Sequence, residues 1–426
     1  MPDASSNISN VASAPPIGKT KLIFVLGLLS AIGPFSIDMY LPAFPDIAKG
    51  LDTSVAHVML SLSSFFLGIS IGQLIYGPML ERYGRKRPLM IGLIVYAVAS
   101  LACAYSVSVN MLVVMRFFQA LGGCAGMVAA RAIIRDVFEG KEIARVFSAI
   151  MLVVAVSPMI APTLGGYLSS LVGWRYVFGA LFLLDVFILI MVIRTLGETR
   201  APNKSFSLTP PAIVKSFWEV LWHPQFLAFA LTGAVANAGI YAYITGSPQV
   251  FMEIHGVSGQ TYGWIFAALA AGLIGATQVN NFMLRRHEQE RIILTACVVQ
   301  TVSGITLAVL ALLGIDLMFP TLALVFIFLC CQGFIFPNAS SLSIAPFSHN
   351  AGSASALMGA LQMGIGALAS SAVSFFQDHT AAPMSVAMMI TAVAGLIINL
   401  LGRRRISRLA SQDQVLEEEV EVVNTL

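Results

Sequence analysis

Charge is scarce in this chain. Asp, Glu, Lys and Arg make up 11% of its 426 residues, against about 25% in a typical soluble domain. That excludes a soluble globular protein, and a net charge of only +3 gives no basic surface for a nucleic-acid partner. Cysteine is sparse too. Cys103, Cys124, Cys297, Cys330 and Cys331 all fall inside apolar runs, without disulfide or metal spacing. The six histidines are scattered, mostly in loops or at helix ends, and form no metal or nucleophile constellation. An enzyme reading therefore finds no catalytic group, metal site or cofactor site, and no polar stretch is long enough to fold as a sensor domain. The first eighteen residues, rich in Ser, Asn and Pro, lack a signal-peptide cleavage pattern, so the first apolar run is expected to stay in the chain.

What is there is hydrophobicity: 57% of residues are apolar and the mean hydropathy is +0.84. Runs of about 20 apolar residues are long enough to cross a bilayer. They fall near 21–43, 57–78, 88–106, 110–132, 143–168, 174–196, 224–246, 259–283, 290–313, 318–341, 350–376 and 383–402. The expected fold is an all-α integral membrane protein with twelve transmembrane helices. An even number of spans places both termini on one face, and the connections on that face hold 20 of the 24 Lys and Arg residues. The positive-inside rule makes that face cytoplasmic.

The longest internal connection, 197–223, is polar, carries Pro202, Pro210 and Pro211, and has six spans on either side. The expected organisation is a disordered N-terminus (1–20), a six-helix bundle (21–196), a cytoplasmic linker (197–223), a second bundle (224–402) and a cytoplasmic tail (403–426). An offset of about 203 residues lays RYGRKRPLM (82–90) over RRHEQERII (285–293), basic turns after the second helix of each half. Duplicated halves of this kind are typical of secondary transporters. The acidic tail QVLEEEVEVVNTL reads as a solvated or frayed helix.

Three polar features interrupt the spans. Asp38 sits in GPFSIDMYLPAFPDI, where a carboxylate costs about 2.5–3.5 kcal/mol on insertion scales, and Gly33-Pro34 weakens the helix one turn earlier. Arg116 sits in VMRFFQALGGCAG, cannot shed its charge, and needs water, a carboxylate or backbone carbonyls. Helix one runs outward and helix four inward, so Asp38 and Arg116 lie at similar depth. If both face a central cavity they can approach each other, and changes in solvation or in the distance to the cation then switch the proton affinity of the acid. Asp185, in ALFLLDVFILI, is the third, with packing and coupling roles equally open.

The connection GPMLERYGRKRPL (77–89) resembles the loop motif of the major facilitator superfamily through Gly77, Arg82, Gly84, Arg85 and Lys86, with Met79 for Leu and Glu81 for Asp. Gly84 suits a tight turn with positive φ. Glu81 is placed to meet the N-terminus of helix eleven near Asn350, where a carboxylate is favoured. SPMIAPTLGGYL (157–168) resembles the antiporter motif of drug exporters through Pro162, Gly165 and Gly166, with Ala161 before the proline; Pro158 and Pro162 predict a bent helix. Arg116, Gln119 and Gly123 resemble a motif of proton-coupled facilitators, with Ala120 for its Gly. Taken together over residues 33–166, the chain resembles the bicyclomycin-resistance (Bcr/CflA) subfamily of drug:proton antiporters.

The resemblance implies two pseudo-symmetric bundles that rock about a central site. It implies export of drug-like small molecules in exchange for protons, with Asp38 as proton carrier, the proton gradient in place of a cofactor, and a monomer in the lipid bilayer. Related multidrug groups carry a second acid two turns before the first; here that place is Ser30. Helices one, four, seven and ten normally line the cavity in this family. Met39, Tyr40, Phe117, Phe118, Gln119, Asn237, Tyr241, Gln332 and Asn338 on them are the expected substrate contacts. A narrow-range transporter of a sugar or amino acid derivative is the alternative.

Overall fold

The computed structural model describes residues 18–138, 141–203, 210–347 and 351–425, which leaves most of the expected disordered N-terminus outside the described residues. Among the described residues the chain is helical and has no strand. In chain order the helices are α1 (Lys19–Asp38), α2 (Phe44–Gly50), α3 (Val55–Tyr83), α4 (Lys86–Ala104), α5 (Val109–Val137), α6 (Lys141–Val172), α7 (Arg175–Thr195) and α8 (Pro210–Leu221). They continue with α9 (Pro224–Pro248), α10 (Gly259–Met283), α11 (Gln289–Leu312), α12 (Met318–Ile344), α13 (Ala351–Phe375) and α14 (Ala382–Thr425). Twelve spans among the described residues are long and apolar enough to cross a membrane: α1 with its continuation α2, then α3 to α7 and α9 to α14.

The chain divides into two compact units, Met1–Ile213 with Ser258–Ala267, and Val214–Val257 with Ala268–Leu426. Within the first, α1 packs on α5, α6 and α7, and α4 packs on α5 and α7. Within the second, α9 packs on α12, α13 and α14, and α11 packs on α12 and α14. The pairing scheme of the first unit thus recurs six spans later. Small residues permit the close approaches that hold membrane helices together. At Gly122 of α5 an added Cβ would lie 2.5 Å from the Tyr96 backbone nitrogen of α4.

The structure departs from the apolar runs at several places. The first span is not one helix over 21–43. It stops at Asp38, turns through a 3-10 segment at Leu41–Ala43, and resumes as α2. The cause is Pro42 and Pro45, which cannot donate to carbonyls four residues back. α3 and α5 run several residues past their apolar runs, to Tyr83 and Val137, because their last turns carry Arg82 and Arg135 out of the apolar layer. α6 continues through Pro158 and Pro162. The linker holds a helix, α8, whose exposed Val214 and Trp218, with Trp222 just past its end, recur every four residues along one face. α14 runs on from its apolar part through Arg403 and the acidic tail, a stretch with neither Gly nor Pro.

Candidate functional site

The break in the first span positions the polar centre of the first unit. Ending α1 at Asp38 leaves its last carbonyls without helical donors. The Ser36 carbonyl is taken instead by Arg116, whose Nη2 donates to it at 2.9 Å, while Nη1 donates to Gln119 Oε1 at 2.7 Å. The guanidinium is fully buried and lies 4.1 Å from the Phe65 ring centroid and 4.3 Å from that of Tyr40. Cation–π contact of this kind is worth about 2 kcal/mol or more when desolvated. Arg116 therefore has partners, but Asp38 is not among them: among the described residues no ion pair joins the two. The expected approach gives way to an amide, a carbonyl and two rings, which together accommodate the cation without a counter-charge.

Asp38 is itself buried, 4% exposed, and among the described residues receives no hydrogen bond. Beside it, Ser36 Oγ donates to the Ile32 carbonyl, so the 2.6 Å contact to Tyr96 has the tyrosine hydroxyl as donor. Tyr40 is arranged in the same way, donating to Ser61 Oγ at 2.6 Å while Ser61 donates to Val58. Gln119 Nε2 donates to Ser100 Oγ at 2.8 Å, which uses both ends of its amide. Asp185 is fully buried on α7, within electrostatic reach of the Tyr96 hydroxyl, yet among the described residues neither carboxylate oxygen has a hydrogen-bond partner.

The expected substrate contacts divide. Tyr40 and Gln119 are sealed in the network just described; Met39 is buried, Phe117 is half-buried and Phe118 is exposed. In the second unit, Gln332 Nε2 donates to the Ala236 carbonyl at 2.6 Å and Asn338 Nδ2 to Asn280 Oδ1 at 2.8 Å, so both amides tie helices together. Asn237 is buried, and Tyr241 accepts a long hydrogen bond from Gln362 at 3.4 Å. A narrow groove lies between α9, α12 and α13, with Phe229, Phe336, Met358 and Gln362 in its lining, and it is too tight to admit a water molecule.

The α3–α4 connection is a charge cluster. Arg85 is 2% exposed; its Nε and Nη2 reach Asp136 at 2.7 and 3.2 Å, and Nη2 reaches Glu81 at 3.1 Å. Burial alone would weaken the charged guanidinium, but the Asp136 and Glu81 carboxylates outweigh it and hold its proton more tightly than usual. Gly84 has φ +84°, a conformation side chains rarely adopt, and a Cβ there would meet Glu198 at 2.6 Å. Glu198 accepts from the backbone N–H groups of Arg85 and Lys86, so a residue at the start of the linker caps α4. Glu81 pairs with Arg85 and with Arg200 at 3.2 Å. Residues 348–350, at the expected helix-eleven partner of Glu81, lie outside the described residues. Gly77 and Arg82 belong to the last turns of α3.

The antiporter-like motif closes on the same break. A Cβ on Gly165 would overlap the Met39 carbonyl, one residue past Asp38, and one on Gly166 would lie 2.7 Å from the Gly259 carbonyl. Gln260 Nε2 donates to Ser170 Oγ nearby, at 3.1 Å. Sequence reading missed Asp136, Glu198, Ser36 and Tyr96. Asp136 and Glu198 carry a legible signal, an acid at the end of a span amid bases; Ser36 and Tyr96 carry none. Among the described residues no group of His, Cys, Asp or Glu could hold a metal.

Comparison with known proteins places these features. The Major Facilitator Superfamily model matches residues 26–371. An uncharacterised MFS-type transporter, YdgK, from Bacillus subtilis (strain 168) is 35% identical over 89% of this chain and 95% of its own. A bicyclomycin resistance protein homolog from Haemophilus influenzae is 31% identical over 90% and 96%. The multidrug resistance protein MdtL of Shigella flexneri is 29% identical over 78% and 82%. Among solved structures, a D-xylose-proton symporter superposes with a TM-score of 0.70 at 12% identity, over 90% of this chain and 97% of that one. At that identity the likeness shows the fold alone. A transporter fold with these relatives fits the twelve spans and the α3–α4 cluster, and the chain belongs to the Major Facilitator Superfamily, alongside its bicyclomycin-resistance members.

Proposed function

We propose that this protein is a secondary active exporter that moves drug-like small molecules out of the cytoplasm in exchange for protons. Both termini lie in the cytoplasm of a bacterial cell, the protein sits as a monomer in the inner membrane, and residues 21–196 and 224–402 are the two halves joined by the 197–223 linker. The observation that carries the reading is Asp38. It is a buried carboxylate at the break of α1 which, among the described residues, has no ion pair or hydrogen bond. An acid tied to Arg116 would be a fixed ion pair, whereas this one is free to exchange a proton without breaking a bond to the protein. Arg116 is a permanent charge held by its own partners.

Protonation of Asp38 from outside and drug binding from inside then compete, so each displaces the other and proton entry drives export. Asp185, buried and among the described residues without a hydrogen-bond partner, is the second proton-coupling candidate. Met39, Tyr40, Phe117, Gln119, Asn237, Tyr241, Gln332 and Asn338 are the expected substrate contacts. Drug-resistance names among the relatives support a drug-like substrate over a sugar or amino acid derivative.

The test is drug-induced proton release from purified protein in detergent at pH 7, using a panel of antibiotics and cationic dyes. Wild type is expected to release protons on drug addition, and Asp38→Asn to bind drug without release. Release by Asp38→Asn equal to wild type would assign the exchange elsewhere and leave Asp38 a structural acid.

A further inference from the structure

Four arginines of the first unit, Arg82, Arg85, Arg116 and Arg131, sit at least partly inside it, and the first three have partners in the protein. Arg85 is held by Asp136 and Glu81. Arg116 is held by Gln119, the Ser36 carbonyl and two aromatic rings. Arg131 is different. It lies inside the spanning part of α5, six residues before the helix ends, and is half-buried. Among the described residues no hydrogen bond, ion pair or aromatic ring meets its guanidinium. The titratable groups that its charge reaches are the Cys124 thiol, two turns back, and Arg135, one turn on and of the same sign. The nearest acid in sequence, Asp136, is committed to Arg85 and Thr199.

A permanent cation in a membrane span without a protein counter-charge marks a place where the counter-charge comes from elsewhere. A guanidinium is suited to one kind of partner, a planar or tetrahedral oxyanion taken up through parallel N–H donors. The position adds a second constraint. Arg131 follows Arg116 by fifteen residues, about 22 Å of helix, so it stands well away from Asp38 and its charge does not fix the proton there.

Resting on the exporter reading, we propose that Arg131 binds an anionic group, a carboxylate or a phosphate, of the transported molecule. The preferred substrates then carry a negative charge, whatever apolar body accompanies it. A lipid phosphate would satisfy the same guanidinium, and the test separates the two sources.

Carboxyfluorescein and rhodamine 123 share a xanthene body and carry opposite charge. Their binding to the purified full-length protein is measured by fluorescence anisotropy in a neutral detergent, for wild type, Arg131→Gln and Arg131→Lys. Wild type is expected to bind carboxyfluorescein. Arg131→Gln is expected to weaken it at least tenfold and Arg131→Lys to weaken it less, with rhodamine 123 unchanged throughout. The proposal is overturned if wild type does not bind carboxyfluorescein at millimolar concentration, or if Arg131→Gln weakens both dyes equally. It is also overturned if added phosphatidylglycerol, but neither dye, distinguishes Arg131→Gln from wild type, since the anion is then a lipid headgroup. Uptake driven by a pH gradient into vesicles tests the exporter reading separately: binding without uptake removes that reading and leaves the anion site standing.

Discussion

Gly165 of α6 lies directly against the backbone carbonyl of Met39, the residue that follows Asp38. The two are 126 positions apart in sequence, yet the helix break and the first glycine of the antiporter-like motif form one contact. A motif read from sequence as a bendable helix is thus also the surface on which the first span stops.

Gly165→Ala is expected to destabilise the protein by about 1–3 kcal/mol, the usual cost of overpacking a closed contact. Gly179→Ala in α7, where an added Cβ meets nothing within 4 Å, is the control. It should leave stability unchanged or raise it by up to about 1 kcal/mol through helix propensity. Thermal melting in detergent measures both, and equal melting temperatures for the two variants would rule out the Met39 contact.

Asp136→Ala leaves Arg85 buried with Glu81 as its remaining carboxylate. Breaking a buried pair in this way costs about 3–5 kcal/mol, and because Asp136 is 11% exposed and Glu81 35% exposed, the lower end is expected. The double reversal Arg85→Asp with Asp136→Arg should recover part of the loss. Melting of the single and reversed variants checks this, and a single variant as stable as wild type contradicts the pairing.

Asp185 is fully buried and, among the described residues, its carboxylate oxygens lack hydrogen-bond partners. Removing such a group relieves a desolvation cost of about 1–3 kcal/mol, so Asp185→Leu is expected to melt at or above the wild-type temperature. If the acid also takes part in coupling, the same variant releases fewer protons per drug bound. A lower melting temperature would mean that the carboxylate has a stabilising partner after all.

Trp218 on the exposed face of α8 and Trp222 just past its end stand 5.5 Å apart by ring centroid, in line with Val214. Tryptophan at the edge of a membrane helix bundle belongs to the headgroup level. In a Trp264→Phe background, lipids brominated near the headgroup should quench more of the emission than lipids brominated near the chain ends. Replacing both residues by Phe should remove most of that quenching. Equal quenching at both depths, or none, would place this face in water.

Sequence alone carries the membrane class, the twelve spans and the α3–α4 loop, because a continuous apolar run and a charged turn are local properties. Asp38 and Arg116 stand out for the same reason: a charge inside such a run is conspicuous. Their relationship does not. Two charges at equal depth suggest a pair, but the partner of Arg116 is a carbonyl in the last turn of α1, left without a helical donor where the helix stops, together with rings from α3 and the α1–α2 connection. Choosing between a carboxylate and that combination requires the packed structure. Glu198 is a similar case, since its task is defined by amides 112 and 113 residues earlier. Gln119, Gln332 and Asn338 show the converse. An amide on a cavity-lining helix reads as a ligand contact, and only tertiary placement reveals that it joins neighbouring helices.

The Arg85 cluster acts at two stages in the life of the chain. While the polypeptide is entering the bilayer, the basic residues from Arg82 to Arg87 orient it, and nearby acids have little influence on that choice. Once folded, Arg85 is electrically spoken for by Asp136 and Glu81. Losing Asp136 would therefore leave a chain inserted the right way round that fails afterwards, during assembly. Such a protein would show correct topology by cysteine labelling of its loops and yet be degraded by membrane quality control.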